Sequence, residues 1–208
     1  MNRREKMKRC WWILLTGLFI LVIGVAPATG ADLNNYVVGK IGSYTPTSND
    51  LSEHDTGFNT EIAFGRYFTP FIALEIGIGY FQTEGDVTVV DRGARYYGND
   101  KIEVTPLTVS LKARVPINIW LDLYGIAGVG TYFIYDRIEV SNYYYHHDHI
   151  SDDTTAFGVH LGGGLTYNIR RNFFIGAEFK YVWLNATLFG EDVTLDGFRV
   201  TGNFGFRF

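Results

Sequence analysis

The chain is 208 residues long, carries 22 acidic against 18 basic side chains for a formal charge of −4, and is 47% hydrophobic and 16% aromatic. A single cysteine excludes an intrachain disulfide framework, and the acidic balance argues against a nucleic-acid partner. The length suits one domain.

The N-terminus reads as a leader. Arg3, Arg4, Lys6, Lys8 and Arg9, with only Glu5 against them, run into the apolar block 10–25, followed by the small residues Ala26, Ala28, Gly30 and Ala31. A basic segment, an apolar segment and a small-residue cleavage region make a secretory signal. Cleavage after Gly30 divides the chain into a signal peptide, 1–30, and a mature domain, 31–208; Ala28 offers a second site. An uncleaved anchor is the competing reading, but the apolar run falls short of the ~20 residues that a spanning helix needs. Cleavage removes five bases, one acid and Cys10, taking the formal charge from −4 to −8 and leaving no thiol.

Beyond residue 34 no apolar run is long enough for a transmembrane helix. The sequence instead alternates apolar with polar or small residues at a period of two, which is strand periodicity. Strands are expected at about 35–44, 57–68, 71–82, 102–115, 120–135, 154–167, 173–184 and 197–208. The fourth sets Leu107, Val109, Leu111, Ala113 and Val115 against Thr108, Ser110, Lys112 and Arg114. In the seventh, Ile175, Ala177, Phe179, Tyr181 and Trp183 oppose Gly176, Glu178 and Lys180.

Alternation does not say which face points inward, and a soluble barrel with an apolar interior has the same period. Three features favour a membrane barrel. Connections 45–56, 83–101, 136–153 and 185–196 are long and polar, whereas 69–70, 116–119 and 168–172 are tight, the alternation of extracellular loops and periplasmic turns. Aromatics collect at strand ends as two girdles: Phe68, Phe71, Trp120, Tyr167, Phe173 and Phe174 beside the turns, and Tyr44, Phe58, Tyr80, Tyr132, Phe157, Trp183 and Phe198 beside the loops. Finally, the polar faces mix glycines with charges, and a Lys or Arg facing mid-membrane lipid costs about 2–4 kcal/mol, so those faces must point inward. The expected fold is all-β, an eight-stranded antiparallel up-and-down transmembrane β-barrel.

The charges on the inward faces are Glu61, Glu75, Lys112, Arg114, Asp122, Glu178, Lys180, Arg199 and Arg207, with Lys40 beside them. In a lumen filled by side chains, opposite charges should pair and close the barrel; a polar conduction path is the alternative. In the third long loop Tyr143–His149 (YYYHHDH) places His146, His147, Asp148 and His149 together. Imidazole and carboxylate bind divalent metals, yet contiguous ligands seldom close a tetrahedral site, and no metal or other cofactor is assigned. His160 falls on an inward face, but no serine follows it at the spacing of the histidine–serine lipid A deacylases, so no enzymatic activity is expected. Gly162–Gly164 lacks the lysine and helix of a phosphate loop.

The last strand closes on Phe204, Phe206, Arg207 and Phe208. With Tyr124–Gly130 (YGIAGVG) and Gly162–Arg171 (GGGLTYNIRR), the chain resembles the OmpW-like group of small outer-membrane β-barrels from about residue 34 onward. The resemblance implies an outer-membrane location with extracellular loops and periplasmic termini. It also implies contact with membrane lipid and lipopolysaccharide, and recognition of Phe208 by the barrel assembly machinery. A pocket in the extracellular half for small hydrophobic molecules is implied too; a barrel serving surface contact without transport is the second reading.

Overall fold

The computed structural model describes residues 35–48, 51, 55–91, 94–140, 148–188 and 191–208. They form β1 (Asn35–Pro46), β2 (Gly57–Tyr67), β3 (Ile72–Asp91), β4 (Ala94–Pro116), β5 (Leu121–Val140), β6 (Asp148–Asn168), β7 (Phe173–Leu188), β8 (Glu191–Thr194) and β9 (Gly197–Arg207). Each long strand pairs antiparallel with its sequence neighbours, β9 following β7 in the wall, and β1 pairs with β9 to close an eight-stranded barrel. Closure leaves no free strand edge in the wall, the condition for β-structure in lipid. Following partners once round from Lys40 returns to β1 about ten residues further on, the stagger that goes with tilted strands and a narrow interior.

The tight turns are fixed by side chains that stand in for backbone acceptors. The Thr69 hydroxyl accepts the Phe71 and Ile72 amides at 3.2 and 3.0 Å, and Asn118 Oδ1 accepts those of Trp120 and Leu121 at 2.8 and 2.9 Å. At the same end the Asn35 and Phe208 backbones exchange two hydrogen bonds, of 3.0 and 2.9 Å, so the two ends of the domain seal the seam.

The opposite end departs from expectation. In segments 83–101, 136–153 and 185–196, expected as loops, the described residues are largely continued strand. β3 and β4 pair out to Asp91↔Ala94, β5 and β6 to Val140↔Asp148, and β8 folds back on Asn185–Leu188. Val87–Val90 pair with Arg95–Gly98 within this extension. Alternation weakens there, so the polarity of these segments reads as loop although the ladder goes on.

The faces sort with the apolar side out. Ile41, Ile62, Val109, Leu111, Leu161, Phe179 and Phe204 are exposed, while Lys40, Glu61, Glu75, Glu178, Lys180 and Arg199 are buried. A continuous exposed apolar surface is stable only in lipid. The apolar belt ends at Tyr80, where the outward positions turn to Gln82 and Glu84 on β3 and to Lys101 and Glu103 on β4. Lys101 lies 3.2 Å from Glu103, and the hydrogen bond between them raises the lysine above its ordinary value. Three members of the expected girdles are corrected: Phe174, Tyr44 and Tyr132 are buried and point inward, whereas Phe68, Phe71, Trp120, Phe157 and Trp183 face outward.

Candidate functional site

The interior is stacked in three layers, and the charges expected in the lumen divide between two of them, with Lys112 between the two. In the middle layer Lys40 Nζ lies 2.8 Å from Glu61, 2.6 Å from Glu75 and 3.1 Å from Glu178. Lys180 bridges Glu61 at 3.3 Å and Glu178 at 3.1 Å. Arg199 reaches Glu61 at 3.0 Å and donates through Nε and Nη2 to Asn59 Oδ1 at 3.0 and 2.6 Å. Tyrosine hydroxyls supply further donors, Tyr36 to Glu75 at 2.8 Å and Tyr124 to Glu178 at 3.0 Å. Buried carboxylates tolerate desolvation only when their lone pairs are engaged in this way.

Nearer the tight turns, Arg114 and Arg207 each lie 3.6 Å from Asp122. Arg114 also donates to the Pro70 carbonyl at 2.7 Å, and Arg207 to Asn168 at 2.6 Å. Both guanidiniums lie against aromatic rings, Arg114 on Tyr67 and Arg207 on Phe174. Lys112 sits between the layers, 3.7 Å from the centre of the Tyr124 ring and 3.9 Å from Glu75.

The third layer, toward the long-strand end, is apolar. Tyr44, Phe81, Ile102, Val104, Tyr132, Ile134, Leu184 and Leu195 form one buried cluster inside the wall. Strand parity alone carries these residues inward: toward the long-strand end the inward faces of β4 and β7 switch from polar to apolar beyond Thr108 and Lys180, and β5 contributes Tyr132 and Ile134 beside them. Beside this layer the β3–β4 ladder is interrupted. Ile78↔Leu107 and Phe81↔Val104 pair, but Gly79 and Tyr80 do not pair with Thr105 and Pro106, and Pro106 has no N–H to donate.

Glycines let large side chains lie across neighbouring strands. A Cβ at Gly65 would enter the Tyr36 ring, and one at Gly164 the Tyr124 ring. Gly128 has a more specific role. It is paired with Ser110 of β4 on one side and His160 of β6 on the other, and across it the Ser110 hydroxyl and His160 Nε2 meet at 2.8 Å. Spacing along the chain could not find this pair, because the serine lies two strands away; only the register unites them. Both residues are buried and point away from lipid, and each gives the other a hydrogen-bond partner.

His146 and His147 of the tyrosine- and histidine-rich segment lie outside the described residues, whereas Asp148 and His149 open β6. Among the described residues no group of three or more potential ligands could hold a metal ion. A groove of about 440 Å³ lies at the β1–β2–β3 wall, lined mainly by the outward residues Gly39, Ile41, Ile62, Ile78 and Phe204, with Lys40 and Glu61 also in its lining.

A closed barrel with an apolar exterior and charged interior is a transmembrane β-barrel. The profile of the outer membrane protein beta-barrel domain matches residues 15–208, and the chain belongs to that family, which places it in the outer membrane. The fold is similar to a major outer membrane protein from Thermus thermophilus (TM-score 0.59, 10% identity) and to Neisserial surface protein A, NspA (0.56, 11%), each covering 86% of this chain and 100% of that one. It is also similar to OprG from Pseudomonas aeruginosa (0.52, 14%), with 86% and 98% covered. At these identities the likeness is one of fold. No curated protein matches the sequence.

Proposed function

We propose that the protein is an OmpW-like barrel that binds or passes small hydrophobic molecules through the apolar layer at its long-strand end. That end is extracellular in this reading, and the tight turns, Asn35 and Phe208 are periplasmic. The observation that supports it best is the apolar interior cluster lying over a charged floor. An eight-stranded barrel has room for packed side chains but not for an open aqueous pore, so the ion-paired layer blocks straight passage of an apolar solute. The stretch at Gly79–Tyr80 and Thr105–Pro106, where the β3–β4 ladder is interrupted, then offers a weak part of the wall for sideways release into lipid.

The test is partition of a fluorescent apolar solute into liposomes containing the purified barrel. Uptake should exceed that of protein-free liposomes and fall when Ala186→Phe or Ala156→Phe crowds the apolar layer. Uptake equal to that of empty liposomes would reject the proposal. A surface-contact role is the second reading, favoured by the β3–β4 and β5–β6 extensions beyond the apolar belt. Deleting those extensions without changing any cell-surface binding would count against it.

A further inference from the structure

We infer that the tight-turn half of the barrel interior is a binding site for a small inorganic anion, held between Lys112, Arg114 and Arg207. Three observations converge on it. The first is charge: this half contains Lys112, Arg114 and Arg207, and its own buried side-chain carboxylate among the described residues is Asp122. Glu75, the carboxylate nearest Lys112, is already held at 2.6 Å by Lys40 and at 2.8 Å by the Tyr36 hydroxyl. The middle layer therefore has no spare negative charge to lend.

The second is unmet donor capacity. Lys112 Nζ has its closest carboxylate at 3.9 Å, beyond hydrogen-bond length, and rests against the Tyr124 ring instead. Arg207 Nε is buried with no hydrogen-bond partner. Each arginine meets Asp122 only at 3.6 Å, too long for a direct bond. Arg114 Nε and Nη2 already donate to Pro70 and Arg207 Nη1 to Asn168, so the donors left over are Lys112 Nζ and Arg207 Nε. A buried cationic donor without an acceptor is costly, and an anion would engage both.

The third is access. Side-chain exposure falls from 20% at Arg114 through 13% at Arg207 to 5% at Lys112, a gradient leading inward from the turn end. Tyr36, Tyr67 and Phe174 pack together as an aromatic wall beside the cations. The excess positive charge suits a compact halide or phosphate, while the rings hold the cations in place through their faces.

Two probes test the site in the purified barrel. Crystals soaked in bromide should show an anomalous peak in the interior, in contact with Lys112 Nζ or the Arg207 guanidinium. In solution, inorganic phosphate titrated at constant ionic strength should give saturable ³¹P line broadening, with affinity about tenfold weaker in Lys112→Met and unchanged in Arg171→Gln at an exposed turn. Absence of both an interior bromide peak and saturable phosphate binding would overturn the inference, as would bromide only at exposed arginines. So would equal phosphate affinity in Lys112→Met and the wild type. If Lys112→Met does not fold, the wild-type bromide map alone decides.

Discussion

Replacing Lys40 by methionine removes the cation on which three buried carboxylates converge at 2.8, 2.6 and 3.1 Å. At an effective dielectric of ~20, one such contact carries a gross attraction of about 4 kcal/mol or more. Desolvation of the ions and repulsion among the carboxylates offset most of that sum. Breaking a buried network by deleting one partner leaves a net cost of about 3–5 kcal/mol. Urea unfolding of the barrel in lipid vesicles, followed by the emission of Trp120 and Trp183, measures it. The double variant Lys40→Met/Glu75→Gln also removes one of the stranded charges, so it should cost at least about 1 kcal/mol less than the two single changes summed. A Lys40→Met effect below about 1 kcal/mol, or strict additivity in the cycle, would refute the view that this layer acts as one ion-paired unit.

Other consequences follow from the faces of the wall. Leu161→Arg puts a charge on the exposed apolar belt and should destabilise the barrel by about 2–4 kcal/mol in the same assay; an unchanged midpoint would mean that this face does not meet lipid. A Cβ at Gly128 falls 2.7 Å from both the Ser110 hydroxyl and His160 Nε2, so Gly128→Val should cost about 1–3 kcal/mol by overpacking and disrupt that hydrogen bond, visible as a shift of the His160 ring signals in NMR spectra. Deleting Phe208 removes its two hydrogen bonds to Asn35 and the terminal aromatic, and should lower the membrane-inserted fraction, read as the heat-modifiable band on gels. In planar bilayers the intact barrel should show no large, steady ion conductance, because side chains fill its interior.

Much of the architecture is written in the period-two pattern. The inward placement of Glu61, Glu75, Glu178, Lys180 and Arg199 follows from alternation and the cost of charge in lipid, both local properties of a strand. Strand parity likewise places Asn59, Ser110 and Asn203 inward, but it cannot pair them with Arg199, His160 and Tyr124. Those meetings depend on register between strands far apart in the chain, which no single strand encodes. The girdle residues Tyr44, Tyr132 and Phe174 show the same limit: an aromatic near a strand end has one parity for lipid and the other for the lumen, and polarity beside it does not distinguish them.

The amino-acid order by itself thus determined a membrane barrel, its strands and the facing of most charges, because lipid imposes one rule on every outward residue. Only the closed structure decided that the charges form two layers rather than one network, that the loops continue as strand, and that Lys112 lacks a close carboxylate. These depend on the stagger of eight strands round the barrel, which sets who meets whom across the lumen.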